Sequence, residues 1–137
     1  MKLYVFDTDH VTLHQHNHPQ VIAKLQTCAP ENVAVTVVTV QEQMRGRLAQ
    51  IERRGVNLTL AYDQLRATAA YFCGLTMLPF DAEAQQQSQQ MREQKIRIGT
   101  LDTRIAAIVL SRNAILITRN QRDFERVPGL RIEDWSQ

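Results

Sequence analysis

The chain has 137 residues, of which 44% are apolar and 22% charged, with a formal net charge of +2. This length suits one domain, residues 1–137, with one substantial core, and the composition excludes collagenous, disulfide-scaffold and strongly disordered classes. Of the 16 basic residues, 13 are arginine, the side chain suited to paired contacts with phosphate, so a nucleic-acid partner is compatible with the charge but not required by it.

The order of elements follows from hydrophobic pattern and turn chemistry. Lys2 to Phe6 is a short apolar run and reads as a buried strand. Asp7-Thr8-Asp9 supplies cap chemistry for a helix to about His16. Pro19 opens a second helix to about Thr27, and Ala29 to Asn32 is a turn. Val33 to Thr36 lacks polar alternation, as in a strand buried on both faces. A long helix is predicted over Val38 to Arg54, with Val40, Met44, Leu48 and Ile51 inward and Gly55 as its stop. Another follows over Leu60 to Cys73, with Leu60, Leu65, Ala69 and Phe72 inward and Gly74 as its end. Met77 to Phe80 reads as a strand, and Asp81 caps a polar, glutamine-rich helix to about Lys95. Gly99 or Thr100 opens a helix to about Asn113. Ala114 to Thr118 is a further strand, and Arg119 to Arg126 is a polar loop with a short helical turn. After the Pro128-Gly129 turn, Leu130 to Glu133 alternates like an edge strand. Strands alternating with helices imply an α/β fold with a mainly parallel sheet flanked by helices.

Sites in such folds form at the carboxyl ends of the strands. Asp7 sits at the end of the first strand, and the segment from Arg119 to Asp123 follows the end of the fourth. Asp102 shares a helical face with Ile105, Ala106 and Val109, which points its carboxylate toward the core. A carboxylate so placed needs a partner; the alternative is an acid favoured by the helix dipole. Glu42 lies roughly opposite the Val40–Met44–Leu48 stripe, and by pattern alone reads as an exposed ion pair with Arg45. Asp9 and Asp123 are further acids that could equally be helix caps. Carboxylates drawn within about 5 Å of one another repel, by on the order of 3 kcal/mol per pair at an effective dielectric near 20. Such a cluster survives by protonation or by binding a cation, and an all-oxygen site suits Mg²⁺ or Mn²⁺. Those ions serve phosphodiester hydrolysis by polarising the phosphoryl group, activating water and stabilising the leaving oxygen.

Four pieces of sequence carry a family resemblance. They are Phe6-Asp7-Thr8-Asp9, then Val40-Gln41-Glu42-Gln43-Met44-Arg45-Gly46, then Ile98-Gly99-Thr100-Leu101-Asp102-Thr103-Arg104-Ile105-Ala106-Ala107, and finally Leu116 to Phe124 with Val127 to Trp135. In this order and spacing the chain resembles PIN-domain ribonucleases, in particular the VapC-type toxins of bacterial toxin–antitoxin pairs. The resemblance implies a metal-dependent endoribonuclease with Asp7, Glu42 and Asp102 as its acidic triad, and with Asp7 and Asp102 among the ligands of Mg²⁺ or Mn²⁺. The fourth acidic position of many members is Asn120 here; Asp123 or the Asn120 amide is the candidate to serve in its place. Thr8 and Thr118 are candidate supporting hydroxyls. Arg104, Arg119 and Arg122, if they flank the rim, would hold RNA phosphates; otherwise they are solvated charge. The resemblance also implies an RNA substrate, a VapB-type antitoxin whose tail covers the acidic site, and a homodimer, with the helices from Val38 to Cys73 as a candidate interface. The alternative is a catalytically weak PIN-like module that binds RNA or protein.

Other signals are weaker. His10, His14, His16 and His18 cluster, and His10 and His14 have a zinc-compatible spacing, but no ligand set completes it; solvated or partly packed histidines are expected. Asp7-Thr8-Asp9 also resembles the motif of haloacid dehalogenase-like phosphatases, which need a later lysine and a second acidic pair that have no fitting counterpart. There is no phosphate-binding glycine-rich loop. Cys28 and Cys73 lack metal spacing and are expected to be small buried hydrophobes. No secretory signal and no run of roughly 18 apolar residues is present, so a cytoplasmic protein without a membrane span is expected.

Overall fold

The computed structural model describes residues 2–137. Five parallel strands form one sheet in the order β3-β2-β1-β4-β5. They are β1 (Tyr4–Phe6), β2 (Val33–Thr36), β3 (Thr76–Leu78), β4 (Ile115–Ile117) and β5 (Arg131–Glu133). The helices are α1 (Thr8–Gln15), α2 (Pro19–Leu25), α3 (Val37–Ile51), α4 (Leu58–Cys73), α5 (Ala82–Glu93), α6 (Thr100–Ser111) and α7 (Gln121–Phe124). β1 is central, with Phe6 opposite Val35 of β2 on one side and Ile117 of β4 on the other. The strand order reverses at β1, so the ends of β1, β2 and β4 open onto one rim.

The strands alternate between two cores, as pleating requires. Val5, Ala34 and Leu116 pack with Ala84 and Met91 of α5 and Ile105, Ile108 and Val109 of α6. Phe6, Val35, Ile115 and Ile117 pack with Val11, Val21, Phe72 and Trp135. Burying each large apolar side chain stabilises the fold by roughly 1.5–3 kcal/mol. Asp81 caps its helix as the sequence predicts, accepting from the Ala84 amide at 3.0 Å; Thr36, read as a strand residue, also caps α3, accepting from the Thr39 amide at 3.1 Å. Asn57 accepts from the Leu60 amide at 3.1 Å. Helix α3 ends at Ile51, ahead of Gly55, whose φ of 76° lies in the left-handed region that glycine adopts without strain. The third strand ends at Leu78, before Pro79, which has no amide to offer the ladder.

Three expectations of burial are corrected. Leu48 and Leu60 are each 54% exposed; the inward residues are Val38 and Thr39 of α3 and Ala61, Thr68 and Phe72 of α4. Periodicity identifies residues that share a face, but what covers the face is decided by the rest of the chain, and here the stripe stays open along the α3–α4 pair. Cys73 is exposed, beside the inward Phe72, and Cys28 is half-buried against the core that holds Phe6 and Trp135, both as free thiols. His10 is wholly buried, not solvated. No described helix is long and apolar enough to cross a membrane.

Candidate acidic site at the carboxyl rim

Asp7 follows β1 directly, and its amide continues the ladder by donating to the Ile117 carbonyl at 2.9 Å. Its backbone is extended, so it closes the strand and caps α1 with the same side chain. Oδ1 accepts from the Thr8 amide at 2.9 Å, and Oδ2 accepts from the Thr118 hydroxyl at 2.8 Å. The residue is only 6% exposed. Burial is the main reason that its pKa is pushed up to about 7; the neighbouring Asp9 and, less strongly, Asp102 push the same way, while the bonds from Thr118 and Thr8 oppose them.

Glu42 lies on α3, which starts at the end of β2. Its Oε1 accepts from the Thr8 hydroxyl at 2.8 Å. That corrects the reading of an exposed pair with Arg45: Glu42 is half-buried, Arg45 is exposed, and the partner is a hydroxyl from the first helix. The Thr39 hydroxyl lies 3.2 Å from that of Thr8 and is anchored through Thr36, the α3 cap. A file of three threonines therefore links the β2 end to Glu42.

Asp102 occupies the first turn of α6, whose N-cap is Gly99. It is half-buried, as its apolar neighbours predict. Its pKa is raised, first by burial and then by Glu42, Asp123 and Asp9. Asp9 and Asp102 act on Asp7, and Glu42, Asp123 and Asp9 act on Asp102, so five carboxylates are electrostatically linked through two residues 95 apart in sequence.

Asp9 and Asp123 are not caps. Asp9 Oδ2 accepts from the Arg119 amide at 3.1 Å and lies 3.5 Å from the Thr118 hydroxyl. Its Oδ1 lies 2.7 Å from His10 Nδ1. Asp123 Oδ2 accepts from the Asn120 side-chain amide at 3.1 Å, and the Asn120 backbone amide donates to the Thr118 oxygen at 2.9 Å. The choice between Asn120 and Asp123 at the fourth corner is thus replaced by a bonded pair, with the charge on Asp123 and the link to the β4 end on Asn120.

The arginines are spread more widely. Arg104, Arg119 and Arg122 are all exposed. Arg104 lines a cavity of about 490 Å³ between α3, α5 and α6 with Gln41, Phe80, Gln89 and Arg92. Arg119 meets the acidic rim through its backbone amide.

The site is acidic without being compact. Among the described residues, no three His, Cys, Asp or Glu side chains converge closely enough to ligate one ion directly, which leaves room for water between an ion and part of the acidic set. The donor set is all oxygen, and Asp7 is buried with its charged form disfavoured until a cation compensates it. Those features fit Mg²⁺ or Mn²⁺, since Mg²⁺ keeps several of its waters and takes only one or two carboxylates from protein.

Several participants escaped the sequence reading: Thr36 and Thr39 behind Glu42, and His10, Asp134 and Trp135 behind Asp9. Thr36 was visible in principle as a cap residue preceding an apolar run. The other contacts depend on segments far apart in the chain.

Comparison with known proteins agrees with this fold. A family model described as the PIN domain matches residues 4–130. The chain is 28% identical over 140 residues to the tRNA(fMet)-specific endonuclease VapC of Salmonella typhimurium, covering 98% of this chain and 99% of that protein. It is 26% identical over 137 residues to ribonuclease VapC1 of Haemophilus influenzae, with 98% and 99% covered. Among solved structures, the DNA-bound VapBC of Salmonella typhimurium aligns with a TM-score of 0.80 at 24% identity, covering 98% of this chain and 99% of that one. VapBC-1 of nontypeable Haemophilus influenzae aligns with a TM-score of 0.76 at 24% identity, with the same coverage. A parallel sheet that reverses at β1, an acidic rim at that reversal and a family match over nearly its whole length together establish that this chain belongs to the PIN-domain family.

Proposed function

We propose that this chain is a Mg²⁺- or Mn²⁺-dependent endoribonuclease, the toxin of a toxin–antitoxin pair, restrained by a VapB-type antitoxin that covers the acidic rim. The observation that carries the reading is the buried Asp7 at the carboxyl end of the central strand, its pKa pushed up to about 7 by burial among other acids. Relatives that match end to end are ribonucleases by name, and the aligned structures are VapBC assemblies.

Asp7 and Asp102 would hold the ion, with Glu42 and Asp123 completing the acidic lining. When bound, Mg²⁺ or Mn²⁺ supplies positive charge at the phosphoryl oxygens and activates water. The protein's part is to hold its carboxylates in fixed orientations. Thr118 fixes Asp7, Thr8 fixes Glu42 and Asn120 fixes Asp123. A carboxylate of this lining would help remove a proton from the attacking water. Arg104, Arg119 and Arg122 bind backbone phosphates of the RNA on either side of the rim. The chain works as one domain, in the cytoplasm, as a homodimer.

The test is cleavage of a structured RNA with Mg²⁺ or Mn²⁺, with and without EDTA, by the wild type and by Asp7→Ala and Asp102→Ala. Cleavage that EDTA stops and both substitutions abolish supports the reading. Full activity in either variant overturns it. Tight RNA binding without cleavage across titrations of both metals assigns the chain instead to a PIN-like binding module.

A further inference from the structure

His10 is the one fully buried histidine, and the catalytic reading above gives it no task. Its ring joins two distant parts of the chain. Nδ1 lies 2.7 Å from Asp9 Oδ1. On the other side, the backbone amide of Trp135 donates to Nε2 at 3.2 Å. An amide N–H aimed at Nε2 requires a lone pair there, so the ring proton is on Nδ1 and the bond to Asp9 runs from histidine to carboxylate. Asp134 Oδ1 lies 3.5 Å from Nε2, but that oxygen is already engaged by the Ser136 amide at 2.8 Å and hydroxyl at 2.6 Å. Phe6 packs on the ring with centroids 6.0 Å apart, and Trp135 packs edge-on against Phe6 at 5.5 Å.

Asp9 is therefore gripped at both oxygens. His10 holds Oδ1, and the Arg119 amide holds Oδ2, which faces the Thr118 hydroxyl. That hydroxyl is the donor to Asp7. We propose that His10 is a positioning residue of the acidic centre: locked from behind by the segment after β5, it donates from Nδ1 to Asp9 and fixes that carboxylate against the Thr118–Asp7 pair. The inference rests on the nuclease reading of the centre. Histidine suits the task because it is an acceptor toward a backbone amide and a donor toward a carboxylate at once, on one rigid ring. Partners of this kind, one bond removed from the reacting groups, change activity or metal affinity by about 10–100-fold when lost.

Two substitutions separate the two bonds. In His10→Asn the side-chain amide nitrogen reaches the place of Nδ1 and keeps the donor to Asp9. In His10→Gln the side-chain oxygen reaches the place of Nε2, keeps an acceptor for Trp135, and withdraws the donor. Both are polar and similar in size, so they disturb the core comparably. His10→Gln is expected to lower kcat on RNA by about 10–100-fold with KM little changed, while His10→Asn stays within about threefold of wild type. Calorimetric titration with Mn²⁺ alone is expected to show weaker binding for His10→Gln than for His10→Asn. In the metal-free wild type, nitrogen NMR is expected to show one ring as the Nδ1–H tautomer with a slowly exchanging proton, and Asp9→Ala is expected to remove that signal.

Equal kcat for the two variants, or wild-type kcat in His10→Gln, overturns the proposal. Absence of the Nδ1–H signal overturns it too, and that measurement stands if either variant fails to fold. A wild type that never cuts RNA, yet shows the Asp9-dependent signal and the difference in Mn²⁺ binding, refutes the nuclease reading and leaves the positioning role intact.

Discussion

The Thr118 hydroxyl donates to Asp7 at 2.8 Å across 111 residues of sequence, and the same oxygen accepts from the Asn120 amide at 2.9 Å. One wholly buried hydroxyl therefore ties the β1 end to the β4 end and to the loop bearing Asp123. Thr118→Val keeps the shape but removes both bonds, leaving a buried carboxylate oxygen and a backbone amide without their partner. The expected cost is about 1–3 kcal/mol of stability, read from urea unfolding, because unsatisfied buried polar groups lose water without replacement.

Asp7 makes metal-free stability depend on pH. Its pKa is raised from 3.8 in the ordinary state to about 7 in the fold. Between those values the folded chain binds more protons than the unfolded one, so stability falls as pH rises, and levels off above about 7. The contribution lost over that window is on the order of 4 kcal/mol. Unfolding in EDTA between pH 4 and 8 should show the decline, and Asp7→Asn should remove the larger part of it and be more stable than wild type at pH 8. Mg²⁺ added at pH 8 should stabilise the wild type and leave Asp7→Asn nearly unmoved.

Glu42 is the first neighbour charge acting on Asp102, after burial itself. In Glu42→Gln the Asp102 carboxyl should titrate closer to the ordinary aspartate range in a carbon-detected NMR titration. Cleavage should fall by about 10–100-fold, since the hydroxyl bond from Thr8 survives but the negative charge does not.

Asn120→Asp would place a second carboxylate at the position where an amide now meets Asp123 at 3.1 Å. Like charges at that distance repel, so the metal-free protein should melt at a lower temperature, while the Mg²⁺-induced rise in melting temperature should exceed that of wild type. A variant whose Mg²⁺ response matches wild type would separate this corner from the metal-binding region.

The order of strands and helices was legible because several helix starts carry their own signal, as Asp7, Pro19 and Asp81 do, and because the central strands are continuous apolar runs. Asp7 was legible from its place at a strand end. Asp102 was legible from Ile105, Ala106 and Val109 on its helical face. Glu42 was not: its pattern pointed to Arg45, and its actual partner, Thr8, comes from a helix 34 residues earlier. Only the family resemblance singled it out. His10 was misread for the same reason, since its burial is decided by Trp135, 125 residues away. Leu48 and Leu60 were misread in the opposite sense, because a pattern reports a shared face and not a cover. Local signals specify elements; pairings between distant elements specify which polar residues are drawn inside.

The placement of β1 between β2 and β4 has a consequence for synthesis. The strand that seats Asp7 from one side begins only at Ile115, and the segment that anchors His10 comes later still. A growing polypeptide carries Asp7 and Glu42 long before it carries Thr118 or Trp135, and Asp102 itself comes only 16 residues ahead of Thr118. Until then the first strand has an open edge and its carboxylate has no hydroxyl to orient it. The acidic centre is therefore assembled only when nearly all of the polypeptide has emerged, and a product cut short before β4 lacks the Thr118 and Asn120 contacts that orient Asp7 and Asp123.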